Sequence, residues 1–168
     1  MALVKPITPC LWFDDQAEEA AKHYTSIFEN SRITDIARYG KASHEQFRKN
    51  EGKVMTVAFT LEGQPFTALN GGPMFKFSEA VSLQVHCRTQ EEVDHYWDRL
   101  SAGGDPKAQQ CGWLKDKFGL SWQVIPQVLI EMIMAPDAAK AQRATQAMLG
   151  MKKFDIAELE RAFAGAGR

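Results

Sequence analysis

The order of predicted elements constrains this chain more than any single residue does: strand, helix and three strands read twice, on either side of a break at Asn70-Gly71-Gly72-Pro73. Before the break, Val4 to Phe13 alternates and is rich in strand formers. Asp14 and Asp15 are then placed to cap a helix whose Ala20, Tyr24, Ile27 and Phe28 fall at helical spacing. Ile33 to Tyr39 predicts a second strand, Gly40 to Gly52 a polar connection, and Val54 to Leu61 with Phe66 to Asn70 a hairpin through Glu62-Gly63-Gln64-Pro65. The glycines and proline after Asn70 forbid regular structure, and Met74 to Ala80 follows as an aromatic-bearing connection.

Beyond it, Val81 to Arg88 predicts a strand, and Thr89 with Glu92 forms a capping-box signature for a helix that turns Val93, Tyr96, Trp97 and Leu100 to one side. Gly103-Gly104 stops that helix, and Lys107 to Gln110 predicts a short strand. Cys111 to Pro126 then predicts a hairpin around Asp116-Lys117-Phe118-Gly119, where Gly119 supplies the positive φ of a tight turn. The expectation is an α+β chain, one domain over 1–168, with βαβββ modules over about 4–71 and 81–126 and a helical tail over about 127–165. The tail's apolar residues, Met132, Ile133, Met134, Ala144, Met148, Ile156, Leu159 and Phe163, need burial either on the sheet's outer helices or on a second subunit, and a homodimer is the expectation.

Composition excludes several function classes. Twenty Lys and Arg against 21 Asp and Glu leave a net charge of −1, with the basic residues scattered, so neither nucleic acid nor an anionic membrane is a predicted partner. No apolar run approaches bilayer length and the N-terminus carries no leader pattern, which predicts a soluble, cytoplasmic protein. Cys10, Cys87 and Cys111 show no CxxC spacing, which predicts buried or pocket-lining thiols rather than disulfides or a zinc knot.

Several runs, in order, carry a family likeness: Ile7-Thr8-Pro9-Cys10-Leu11-Trp12-Phe13-Asp14, Leu69-Asn70-Gly71-Gly72-Pro73, Ser82-Leu83-Gln84-Val85, Cys111-Gly112-Trp113 through Pro126, and Met151-Lys152-Lys153 in the tail. The chain resembles the PhnB-like family, often labelled demethylubiquinone methyltransferase, of the vicinal oxygen chelate superfamily that includes glyoxalase I, extradiol dioxygenases and bleomycin-resistance proteins. The resemblance implies modules whose strands curl into a cup-shaped mixed sheet. It also implies where a divalent metal would sit: on His and Glu side chains from the first and last strands of each module.

Thr8 and Ser82 stand at such ligand places and Gln123 stands where the superfamily has a Glu. Threonine, serine and a neutral amide do not supply imidazole and carboxylate ligands, so no metal and no cofactor are predicted. By strand alternation the cup lining is Thr8, Cys10, Trp12, Asn70, Ser82, Gln84, His86, Trp113 and Gln123, which suits a small, flat, mostly neutral organic ligand. The same alternation turns Trp122 to the helix side, while Trp113 is either pocket wall or dimer packing.

The reading that follows is a small-molecule-binding protein, its ligand held in the cup of a homodimer. The alternative is an enzyme of lyase, dioxygenase or transferase type. It would use a divalent metal through non-standard ligands such as His86, or His86 or Cys10 as an acid/base group. Methyl transfer is a further alternative, although Asn70-Gly71-Gly72-Pro73 leads into no helix and forms no nucleotide cradle. His23 and His95 read as surface residues of their helices, and His44 sits in the polar connection.

Overall fold

The computed structural model describes residues 7–41 and 50–166, so His44 and the start of the run at Val4 lie outside the described residues. The chain divides into two compact units, Met1–Lys76 and Phe77–Arg168, with the division inside the connection that follows Asn70-Gly71-Gly72-Pro73.

In the first unit β1 (Cys10–Phe13), α1 (Ala17–Thr25), β2 (Arg32–Arg38), β3 (Val54–Leu61) and β4 (Gln64–Asn70) follow the expected order. The sheet is mixed, with strand order β1-β4-β3-β2 and β1 parallel to β4. The β3–β4 turn is tighter than the four-residue loop expected. Leu61 pairs with Gln64, and Glu62 and Gly63, at φ 46° and 74°, make the two-residue turn with both central residues left-handed. Leu11, Phe13, Val57, Phe59 and Ala68 are buried beneath Ala17, Ala20, Ala21 and Tyr24 of α1, with Phe59 stacked on Phe66 at 5.4 Å.

The start of α1 corrects the sequence reading. Asp14 and Asp15 do not cap it; Gln16 precedes the helix without a side-chain cap, and the Ala17 amide donates to Asn70 Oδ1 at 2.8 Å, from 53 positions along the chain. A tertiary contact satisfies a helix-end donor that would otherwise want a local carboxylate.

The second unit holds β5 (Ser82–Cys87), α2 (Gln90–Ser101), β6 (Trp113–Lys115) and β7 (Ser121–Pro126). Its sheet has the order β5-β7-β6, with β5 parallel to β7. The strand expected at Lys107 to Gln110 is instead a 3-10 turn over Pro106–Ala108, capped by Asp105 on the Lys107 amide, with a lone bridge from Gln110 to Trp113. Pro106 fixes φ and brings no N–H to a ladder, so the turn wins. Thr89 accepts from the Glu92 amide as the capping signature predicts, and Glu92 reaches back to the Arg88 amide at 2.6 Å.

Beneath α2, Val93, Trp97 and Leu100 bury Val85, Cys87, Leu114, Trp122 and Val124, which puts Trp122 on the helix side. Asp116, buried at the hairpin turn, accepts from the Phe118 and Leu120 amides and from Trp122 Nε1 at 2.8 Å. This carboxylate closes the turn and anchors the indole at once.

The tail forms α3 (Gln127–Ile133), α4 (Ala138–Leu149) and α5 (Ile156–Ala164), with Asp137 and Asp155 capping the last two. It buries much of its apolar face within its own unit: Leu129, Met132, Ala144, Met151, Phe154 and Leu159 form one cluster, while Ile133 and Met134 stay exposed. Backbone bonds of 2.8 Å from Cys111 and Gly112 to the Met151 and Lys152 carbonyls staple the tail to the hairpin. Gly112, at φ 78°, lets the Phe154 ring approach so closely that a Cβ would sit 2.4 Å from it. Among the described residues, no helix is long and apolar enough to cross a membrane.

Candidate functional site

The nine residues expected to line a site fall into two groups, one in each unit. In the first unit, Thr8 is half-buried in the extended run before β1, and Cys10 and Trp12 lie on the face of β1 opposite the buried Leu11 and Phe13. Cys10 pairs with Thr67 and Trp12 with Leu69 across the parallel ladder. Desolvation raises the Cys10 thiol pKa, and Cys87 is pushed up to about 12 by burial with a contribution from Glu92, the direction opposite to that which activates a thiolate.

Trp12 is fixed on three sides. Its Nε1 donates to the Gly72 carbonyl at 2.8 Å, Phe75 meets it edge-on at 4.9 Å, and its ring covers Gly71, where a Cβ would lie 2.3 Å away. The Asn70 amide is committed to the fold: Oδ1 accepts from Ala17, Nδ2 donates to the Val54 carbonyl at 3.1 Å, and the Asn70 carbonyl accepts from Tyr39 Oη. Beside these groups lies an open groove of about 1050 Å³, lined in part by Trp12, Asp14, Leu69, Asn70 and Met74.

In the second unit the open face of the sheet carries two cross-strand rows. Gln84, Gln123 and Trp113 are register partners in one row; Ser82, Ser121 and Lys115 are partners in the next. The polar side chains are joined: Gln123 Nε2 donates to Ser82 Oγ at 2.7 Å, and Gln84 Nε2 donates to Gln123 Oε1 at 3.4 Å. Trp113, half-buried, stands beside this amide and hydroxyl ladder, and His86 lies one step further along β5, opposite Ile125 and exposed. The geometry therefore brings Ser82, Gln84, Trp113 and Gln123 together and leaves His86 at their margin.

Ser121 and Lys115 were missed by the sequence reading. Ser121 precedes Gln123 by two and Lys115 follows Trp113 by two, so the alternation that placed their neighbours on this face places them too. Lys115 Nζ pairs with Glu79, whose carboxyl is held below its usual range chiefly by that hydrogen bond.

The ladder does not fit a divalent ion. Gln123 turns its amide nitrogen, a donor, onto Ser82, so two of the three groups at the implied ligand places satisfy each other rather than presenting lone pairs to a cation. Among the described residues, no three His, Cys, Asp or Glu side chains gather as a metal-binding group.

Comparison with known proteins places this architecture. The 3-demethylubiquinone-9 3-methyltransferase family model matches residues 5–125. A PhnB protein from Bacillus cereus bearing the same family description is 37% identical over 73% of this chain and 99% of its own, with a TM-score of 0.60. Protein PA1353 from Pseudomonas aeruginosa, 18% identical, covers 73% of this chain and 98% of its own at a TM-score of 0.57. The fosfomycin resistance protein FosX from Listeria monocytogenes, in complex with Mn(II) and sulfate, is 16% identical over 79% of this chain and 97% of its own, with a TM-score of 0.51. At those identities the last two show the fold alone. No curated protein matches the chain.

Proposed function

Since the chain belongs to the PhnB-like 3-demethylubiquinone-9 3-methyltransferase family, with structural neighbours in the glyoxalase, bleomycin-resistance and fosfomycin-resistance superfamily, we propose that it binds a small, flat, mostly neutral organic molecule without the superfamily's usual metal. The observation that carries this reading is the 2.7 Å bond from Gln123 to Ser82. Two neutral groups at implied ligand places hold each other, and Gln84 and Trp113 flank Gln123 in its own row. Amide and hydroxyl groups can exchange partners with a ligand's carbonyl or N–H, and the indole offers an apolar plane. The resemblance to cup-forming relatives supports a concave wall for that plane, and the exposed Ile130 and Ile133 of α3, with Met134 just beyond it, support a homodimer.

A thermal-shift screen over small aromatic and amide-bearing compounds tests the reading, because a ligand at a hundredfold its Kd stabilises the native state by about 2.7 kcal/mol. A hit should lose its shift in Gln123→Leu. The reading fails if protein purified without chelator or affinity tag carries a stoichiometric divalent ion that is lost on His86→Ala. Methyl transfer, the activity in the family description, predicts calorimetric binding of S-adenosylmethionine. Here Gly71 is covered by Trp12 and Pro73 follows instead of a helix, so a flat titration is expected.

A further inference from the structure

Ser121 is 1% exposed, and its Oγ has no hydrogen-bond partner among the described residues. A buried hydroxyl in that state is costly to keep, and native structures rarely keep one without a use. Alternation with the buried Trp122 and Val124 turns Ser121 to the open face, in the row with Ser82 on one side and Lys115 on the other. The row thus reads hydroxyl, unsatisfied hydroxyl, ammonium, which are donors with one acceptor missing.

One acceptor already approaches. Glu79, from the connection before β5, places its carboxylate on Lys115 Nζ, with the Glu79 side chain 64% exposed and Lys115 27% exposed. A carboxylate on a largely solvated side chain is held weakly, because a surface pair gains little over hydration. The cation is sheltered, the donor beside it is unsatisfied, and the carboxylate in place is replaceable.

We propose that the row formed by Ser82, Ser121 and Lys115 is a carboxylate subsite, and that Glu79 is the chain's own stand-in for the carboxylate of the ligand. The inference rests on the reading that a ligand binds this face, and it adds one anionic group to an otherwise neutral body. The incoming carboxylate displaces Glu79 from Lys115 and accepts from the Ser121 hydroxyl, while the body lies along Gln84, Gln123 and Trp113. Glu79 stays tethered when it is displaced and its charge moves out into solvent, so it acts as an internal competitor that only an anionic ligand meets.

Calorimetric titration with benzoate and with its neutral analogue benzamide tests this on the full chain. The wild type should bind benzoate about tenfold more tightly than benzamide, the size of one charge-assisted hydrogen bond. Glu79→Gln should tighten benzoate about threefold and leave benzamide unchanged, since an exposed ion pair is worth little and only the anion competes for it. Lys115→Met and Ser121→Ala should each remove the benzoate advantage, and the small Ser121→Ala change keeps the test open if the lysine variant folds poorly. Equal affinity for the two probes, or a Glu79→Gln variant with unchanged benzoate affinity, overturns the subsite and leaves the binding reading standing. No heat from either probe overturns both.

Discussion

Each unit sets a side-chain amide on an interior strand of its sheet, Asn70 at the end of β4 and Gln123 within β7, and the two amides have different partners. Asn70 is bonded to backbone, the Ala17 amide and the Val54 carbonyl, whereas Gln123 is bonded to side chains, Ser82 and Gln84. Backbone partners cannot leave without undoing a helix start or a strand end. Side-chain partners can turn away and be replaced by ligand atoms. The contrast separates two polar residues that look equivalent in the sequence: one is tied to backbone, the other only to side chains that can exchange partners. The units share a second device, a glycine that admits an aromatic ring: Gly71 under Trp12 and Gly112 under Phe154.

The glycines give the largest way to break the comparison. Gly112→Ala meets the Phe154 ring at 2.4 Å and the Val124 carbonyl at 2.9 Å while forcing a φ of 78° on an L residue. Overpacking and left-handed strain together predict a loss of about 4 kcal/mol. Gly71→Ala has Trp12 ring atoms as its nearest neighbours, at 2.3 to 2.5 Å, and no positive φ, so overpacking predicts about 2 kcal/mol. Urea unfolding should rank them in that order; equal losses would mean that the backbone at Gly112 relaxes freely.

Asp116 lies behind the same sheet that carries Gln123. Asp116→Ala strands two amides and the Trp122 indole N–H, and should cost about 3 kcal/mol with a blue shift or intensity change in tryptophan emission.

The amides themselves sharpen the comparison. Asn70→Ala should cost about 2 kcal/mol, since it leaves a helix-start donor and a strand carbonyl without their partner. Gln123→Ala should cost less than about 1 kcal/mol, because Ser82 and Gln84 regain water. A Gln123→Ala loss equal to that of Asn70→Ala would remove the argument for a binding role.

Much of this contrast was legible in the sequence, and the rest was not for identifiable reasons. Alternation placed Trp12 opposite Leu11 and Phe13, and Trp122 beneath α2, because a two-residue period leaves little choice once one face is buried. It placed Ser82, Gln84 and Gln123 on one face for the same reason. The helix cap at Ala17 was misassigned because its acceptor comes from Asn70, far along the chain, where local capping rules do not look. The partition of the tail's apolar face, part buried on its own unit and part exposed at Ile133 and Met134, is not legible in the sequence, which does not announce that Gly112 admits Phe154. Ser121 is not legible in the sequence, because a serine's role depends on its burial and missing partner, which only the fold reveals.

The smallest effect concerns how the units use ion pairs. In the first, Lys22 and Glu18 pair at 2.6 Å within α1, a one-turn contact worth about 0.4 kcal/mol. In the second, Lys153 from the tail reaches Asp94 of α2 at 2.8 Å, beside Gln90, whose amide donates to the Phe154 carbonyl and accepts from the Ile156 amide. Hydrogen bonds from Lys153 and then Gln90 hold the Asp94 carboxyl below its ordinary range, and the Asp94 bond raises Lys153 above 10.5. A lowered carboxyl pKa stabilises the fold above the unfolded value near 4, and this contribution is lost as pH falls through the folded value. A raised amine pKa acts in the opposite sense, stabilising below the unfolded value and losing its effect as pH rises through the folded one. With both side chains more than a third exposed, the pair is worth less than about 1 kcal/mol. The stability difference between wild type and Lys153→Met should therefore be flat from about pH 6 to 9 and fade toward both extremes, more so in high salt. A difference independent of pH would mean that the lysine acts through its aliphatic stem against the tail, and that charge plays no part in holding the tail to α2.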